Sequence, residues 1–317
     1  MGNMALGLFA SLLIGTILQT VGEHVPYMGW LVEVAAHAKA AAGPAMAVAI
    51  AWALKAPPLV LFSCAAVGVA GNALGGPVGA FLAAIIGAEF GKAVSKETKI
   101  DILITPAVTV TSGVLTAMLA GPPVSALMLG LGKVVMLSTE LQPFWMGILV
   151  SMIVGIVLTL PISSAALCVM LNLSGLAAGA ATAGCCAQMI GFAVMSFSEN
   201  RWGGLVSQGL GTSMLQMPNI VRNIRIWIPP TLAAAITGPL ATMVFKLENI
   251  PVGAGMGTSG LVGPIGILTA MPGGGATMWA GIVLVCFVLP GMLSWLFYKL
   301  LFRVGWIKPG DVILDMK

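Results

Sequence analysis

Four long stretches of this chain, residues 56–88, 102–132, 141–198 and 249–298, contain no Asp, Glu, Lys or Arg. A helix needs about 20 mainly apolar residues to cross a bilayer, so the longer stretches each hold two spans or more. The 317 residues include only 14 Lys or Arg and 10 Asp or Glu, 59% are hydrophobic, and the mean hydropathy is +1.05. A soluble domain is about one quarter charged, so this chain cannot clothe itself in a water-facing surface. It reads as a polytopic membrane protein. That excludes a soluble enzyme and a receptor with a large soluble head, and a small, scattered net charge of +4 excludes a nucleic-acid binder. Barrel strands alternate apolar and polar residues, whereas 145–160 is apolar on every face; the fold class is therefore all-α.

Residues 4–21 have no basic leading region and no small-residue cleavage pattern before Glu23 and His24, so they read as a first span. Further spans are expected at 42–56, 57–74, 77–95, 102–120, 122–138, 143–163, 175–197, 226–246 and 277–303, about ten in all. Between them lie apolar stretches full of helix breakers, 203–218 and 251–275. Irregular backbone at membrane depth survives only where protein or a water-filled cavity satisfies it. Gly/Pro-interrupted apolar segments are thus a pointer to a transporter's binding site, with ordinary interfacial loops as the plainer reading. The first half is rich in Ala and Gly spans such as 75–91, suited to close helix packing. The division expected is a packing half at 1–140, a substrate half at 141–303 and a short tail at 304–317.

Lys92, Lys96 and Lys99 cluster after the fourth span, and Lys299, Arg303, Lys308 and Lys317 accompany the last. If basic clusters face the cytoplasm, both termini are inside, and 23–40 with Trp30 is an external interfacial helix. The five cysteines, Cys64, Cys168, Cys185, Cys186 and Cys286, lie in apolar segments without metal-site spacing and read as small buried hydrophobes.

Two acids interrupt uncharged regions, Glu199 just before Arg201 and Glu248 just after Lys246. An ionisable group near the membrane is a functional candidate; the alternative is an interfacial ion pair with Arg201 or Lys246. After Glu199 come Gln208, Thr212, Ser213, Gln216, Asn219 and Asn223. Amides and hydroxyls donate and accept, which suits a neutral polyol, although an irregular segment also needs such groups for its own backbone. Thr258 and Ser259, flanked by Gly257 and Gly260, line a pocket or cap the helix that follows. Glu89 and Lys133 read as paired or snorkelling. The only histidines, His24 and His37, are remote from both acids, and no Walker-type loop or HExxH occurs. No catalytic residue, metal ligand or cofactor is assigned.

Glu199-Asn200, the polar glycine-rich stretch, Asn223, IWIPP at 226–230 and LAAAITGPLA at 232–241 resemble the second half of enzyme IIC (EIIC). That is the membrane-embedded sugar permease of the bacterial phosphotransferase system. Residues 76–91 resemble the glycine-rich span of its scaffold half. The patterns PNI…IWIPP…GP and LEN…GAGMGTSGLVG are similar to those of a single-domain EIIC-like family. The resemblance covers most of the chain and is sharpest over 192–272.

It implies an all-helical homodimer of about ten spans in the bacterial inner membrane. The first half would be the dimer scaffold, and the second an elevator-type transport domain with two re-entrant hairpins. Glu199 takes the place of the glutamate that binds sugar hydroxyls, and Asn223 that of the Asn in an Asn-Pro element. The chain departs from the pattern in having Asn200 where Pro follows the glutamate and Ile224 where Pro follows the asparagine. It also lacks the second-half histidine.

The reading that follows is a transporter of a small solute, most simply a sugar or sugar alcohol. Its binding set would be Glu199, Asn200, Gln208, Thr212, Gln216, Asn219, Asn223, Glu248, Thr258 and Ser259. Gly253, Gly255, Gly257, Gly260 and Pro264 would let a hairpin close, and Arg201 would hold the Glu199 carboxylate charged. Phosphorylation would come from separate IIB and IIA proteins, and an aromatic platform from Trp202, Trp227 or a Phe. Two alternatives remain open, both without phosphotransfer: a carrier of a less polar ligand such as a fatty acid-like amphiphile, and a membrane-embedded ligand sensor. The 20 methionines suit an apolar pocket.

Overall fold

The computed structural model describes residues 2–314; Lys317, counted above among the basic residues after the last span, lies outside them. Among the described residues the regular structure is helical, joined by turns and irregular segments, and the β pairing is a single isolated antiparallel bridge between Gly175 and Asn249. They divide into two compact units, 1–130 and 131–317.

The first unit begins with α1 (Gly2–Leu8) and α2 (Ile14–His24), joined through a π-helical stretch, Phe9–Leu13. Then come α3 (Trp30–Ala40) and α4 (Ala42–Ala53), bent by 45° at Ala41. Of the segment 23–40 expected as an interfacial helix, residues 30–40 are helical, 25–29 form a turn, and Trp30 is exposed. The two spans expected at 57–74 and 77–95 form one element, α5 (Pro58–Val94), kinked at Gly75 and Gly76. Gly76 has φ +57° and ψ −153°, backbone that residues with a Cβ almost never adopt. The spans expected at 102–120 and 122–138 are likewise continuous in α6 (Asp101–Thr139), which carries Pro122 and Pro123 inside it and crosses the unit boundary. Small residues allow the backbones to meet: a Cβ on Gly43 would strike the Gly68 carbonyl, and one on Gly68 the Gly43 carbonyl.

The second unit comprises α7 (Pro143–Thr159), α8 (Ser164–Met170), α9 (Gly175–Met195), α10 (Phe197–Val206), α11 (Met217–Arg222), α12 (Ile228–Pro239), α13 (Pro251–Ala254), α14 (Val262–Ala270), α15 (Gly275–Val283) and α16 (Leu289–Arg303). Its post is α9, 89% buried over its span window where α15–α16 is 39% buried. A helix that is apolar all round belongs inside, and α9 is also made small, reading GLAAGAATAGCCAQMIGFAVM. A Cβ on Gly184 would overlap the Ser151 carbonyl of α7, one on Gly179 the Leu247 carbonyl, and one on Gly191 the Ser294 hydroxyl of α16. Val150 and Val154 of α7 pack with Ala178, Ala181 and Cys185, while Ala183 and Cys186 face Leu247, Ile267 and Cys286. All five cysteines are free and buried.

Among the described residues six helices are long and apolar enough to cross a membrane, or seven if the bent α3–α4 pair is one span. The chain is an all-α, multi-pass membrane protein. Gly184→Ala is expected to overpack the α7–α9 contact at a cost of about 1–3 kcal/mol, read as a lower melting temperature of the detergent-purified protein. Gly130→Ala is the control, because its Cβ meets nothing within 4 Å; equal melting of the two variants would refute the close-packed post.

Candidate solute-binding site

The polar part of the second unit is built by a chain that changes direction repeatedly. Helix α9 stops at Ser196, whose carbonyl accepts the backbone N–H groups of Glu199 and Asn200, both at 3.0 Å. Helix α10 kinks at Arg201, held at φ +53° and ψ −151°. A π-helical stretch, Ser207–Gly211, then gives way to extended Thr212, whose hydroxyl accepts from Met214 N at 3.2 Å. A 3₁₀ turn, Ser213–Gln216, leads into α11, and extended Asn223 accepts Arg225 N–H to start a second 3₁₀ turn, Ile224–Trp227. Here breakers and cap residues make each local conformation, as their preference for turns over helix interiors requires.

Inside this framework runs a ladder of amides. Gln208 Nε2 donates to Ser196 Oγ at 3.0 Å and to Gly204 O at 2.9 Å. Its Oε1 accepts from Gln216 Nε2 at 2.9 Å, and Gln216 Oε1 accepts from Asn219 Nδ2 at 2.8 Å. All three amides are buried, and each NH₂ meets an oxygen.

The ladder's other donors are taken by the segment after α16. Asn200 pairs with it twice, Nδ2 donating to Val312 O and Oδ1 accepting from Leu314 N, both at 2.8 Å. Gln216 Nε2 also donates to Val312 O at 3.0 Å, and Asn219 Nδ2 to Ile313 O at 2.7 Å. Asn223 Nδ2 donates to Asp311 Oδ2 at 2.7 Å and to Trp306 O at 3.1 Å. The Arg225 guanidinium lies 5.2 Å from the Trp306 ring centroid. Glu199 Oε1 accepts from Gly310 N at 2.9 Å. Its Oε2 is shielded from solvent and has no partner among the described residues.

Six of the sequence-selected residues therefore meet in one place: Glu199, Asn200, Gln208, Gln216, Asn219 and Asn223. Thr212 serves as a local cap. Thr258 ties the second broken segment to the first, donating to Gly209 O at 2.5 Å, and Ser259 beside it is buried. Glu248 is exposed and makes no pair with Lys246. Among the described residues the only salt bridge is Lys92–Glu89, at 2.9 Å. The expectation that Arg201 holds the Glu199 carboxylate is thus corrected: a backbone N–H does so instead. Arg201, with Phe197, Leu205, Trp295, Tyr298 and Lys299, lines a neighbouring cavity of about 380 Å³. Trp202 is exposed, edge-on to Phe197, and Trp227 donates to Gln188 Oε1 at 3.1 Å; each is engaged elsewhere than in the ladder.

The glycines proposed for hairpin closure lie at close approaches. A Cβ on Gly253 would strike the Asn249 side chain, one on Gly255 would come within 2.5 Å of Ser164 O, and one on Gly257 (φ +54°) within 2.8 Å of the Cys185 backbone. Pro264 is buried beside them and Gly260 has φ +53°. Asn249, which the sequence reading passed over, holds this segment. Its Nδ2 donates to Thr182 Oγ1 at 2.7 Å and Gly263 O at 3.0 Å, while its backbone forms the bridge to Gly175. Gln188 was passed over too, although it is an amide in the middle of an apolar helix. Its Nε2 donates to Thr231 at 3.1 Å, and its Oε1 also accepts from Thr159 at 3.3 Å.

Losing a buried partner costs roughly 1–3 kcal/mol per group left unpaired. Asn249→Ala should therefore lower the melting temperature sharply, whereas Glu248→Gln should leave it unchanged. A thermal melt of both variants checks this, and equal effects would return Glu248 to the site.

The sequence model of the family described as "Phosphotransferase system, EIIC" matches residues 1–314. No curated protein and no solved structure gives a significant match.

Proposed function

The chain belongs to the phosphotransferase system EIIC family, the system's membrane transport components, which act on small-molecule substrates together with IIB and IIA proteins. From that premise we propose that it carries a neutral polyhydroxylated solute, a sugar or sugar alcohol, held at Glu199, Asn200, Gln216, Asn219 and Asn223. In this reading residues 1–140 are the scaffold of a homodimer in the bacterial inner membrane, with both termini cytoplasmic. The half at 141–303 moves elevator-fashion against it, and a separate IIB protein supplies the phosphoryl group.

The observation that carries the reading is that one carboxylate, with a shielded oxygen that has no partner among the described residues, and four donating amides all bond the same short segment, 306–314. A sugar hydroxyl donates to the first and accepts from the others. Thr258 would couple the second broken segment to the first when the solute binds.

A second reading keeps the fold and replaces the solute by an anionic amphiphile, without phosphotransfer. Its support is the cavity beside the site, where Arg201 and Lys299 stand among Phe197, Leu205, Trp295 and Tyr298.

Thermal stabilisation of the detergent-purified protein by glucose, mannitol and cellobiose, beside a fatty acid, separates the two. Under the sugar reading Glu199→Gln weakens binding of a stabilising sugar by about 10- to 100-fold, the worth of one charge-assisted hydrogen bond. Unchanged affinity removes Glu199 from the site. Stabilisation by the fatty acid alone, lost in Arg201→Gln, favours the second reading.

A further inference from the structure

We propose that residues 304–314 are a built-in competitor for the solute, a strap that occupies the Glu199–amide site and must leave before that site can be filled. The inference rests on the sugar reading for the identity of the displacing ligand, but not for the release itself.

The strap meets the site with the groups a polar ligand would use. The Val312 and Ile313 carbonyls accept from Asn200, Gln216 and Asn219, and the Gly310 amide donates to Glu199. Apart from the Asp311–Asn223 contact and the Trp306 ring under Arg225, backbone atoms alone make these polar contacts. A ligand hydroxyl can replace each of them one for one, and such exchanges of hydrogen bonds are nearly neutral.

Beyond that the strap is held by the burial of three apolar side chains, Ile307, Val312 and Leu314, while Trp306, Lys308, Pro309, Gly310 and Ile313 are exposed. The strap leaves α16 at Gly305, φ +78°, a point where the chain can turn without the strain a Cβ brings. A small loop stiffens it, Asp311 Oδ2 accepting from Lys308 N at 2.8 Å. The same Asp311 oxygen is the anchor to Asn223, so one side chain both shapes the strap and fastens it.

Glu199 shows the consequence. One of its oxygens is occupied by the strap and the other has no partner among the described residues. A strap selected only as a seal would be expected to leave no buried oxygen unpaired; a stand-in for a ligand with more hydroxyls would.

The test uses the full chain with Val312→Cys, since Val312 is fully buried and the five native cysteines are buried as well. Labelling by a charged methanethiosulfonate reagent is followed by mass spectrometry, with Cys185 of α9 as the internal monitor of global unfolding. The expected result is labelling at position 312 while Cys185 stays unmodified, about tenfold faster when Asp311→Ala is added, as release of a local latch requires. Labelling of 312 only together with Cys185 makes the strap a permanent part of the fold and overturns the proposal.

Glucose, mannitol and cellobiose form the second arm, with a chain shortened after Ile307 for comparison. A sugar that stabilises the protein should speed labelling at 312 and bind the shortened chain about tenfold more tightly. A stabilising sugar that leaves labelling unchanged would show strap and sugar bound together, which also overturns it. If no sugar binds either chain while 312 still labels alone, the sugar reading fails and the releasable strap stands. Should the shortened chain fail to fold, Asp311→Ala in the full chain carries the same affinity comparison.

Discussion

Backbone amides that leave regular helix geometry inside an apolar fold must find other partners, because hydrocarbon offers none. The second unit of this protein is organised by that constraint. Its chain leaves helical geometry in two broken segments, 207–227 and 251–264, and each turn is closed by a nearby side chain or carbonyl. Thr212 and Asn223 cap the turns of the first. Asn249 binds the second to α9, and Thr258 binds the two to each other. The smallness of α9 is the other half of the same solution. A helix of Gly, Ala and Cys lets irregular backbone approach until such bonds can form, as at Gly257 against Cys185 and at Gly179 against Leu247.

That dependence explains which parts of the molecule the sequence disclosed. Uncharged runs and breaker-rich stretches are local properties, so the membrane class and the two irregular segments were legible. So was the concentration of amides after Glu199. Helix continuity was less so: Gly75-Gly76 and Pro122-Pro123 look like breaks, yet α5 only kinks and α6 runs on. Partner choice was not legible where it spans a long sequence separation. Glu199 and Arg201 are neighbours in sequence, but the Arg201 backbone turns its side chain to another cavity, and the carboxylate finds Gly310, 111 residues on. Glu248 drew attention as a lone charge, while the neutral Asn249 beside it does the structural work, because a buried amide can satisfy three directions at once and a carboxylate at the surface satisfies none. The strap's sequence shows only a basic tail; nothing in its composition tells that its carbonyls complete an amide ladder.

The two polar centres differ in how completely they are closed. Around Gln188, Thr159 of α7, Thr231 of α12 and Trp227 of the 3₁₀ turn pair without any help from residues 304–314, and Thr159 also meets Ser213 at 2.9 Å. Fully satisfied networks of this kind rigidify a core. The ladder from Ser196 to Asn219 closes only with help from outside its own segment, at Val312 and Ile313. A network finished by a separable piece of chain has two ways to be finished, whereas one finished by the packed helices and turns around it has one.

Charge narrows what can finish it. The donors that reach outside the ladder's own segment are those of Asn200, Gln216, Asn219 and Asn223, and a single carboxylate, Glu199, bonds the same strap. An anion would be drawn by the four donors but repelled by Glu199. A cation would be drawn by Glu199 yet have to give up its hydration against amide NH₂ groups that cannot accept. A neutral ligand that donates once or twice toward the carboxylate and accepts from the amides meets no such penalty. The strap's Gly310 N–H and its two carbonyls have that pattern, and so does a row of hydroxyls on a sugar ring.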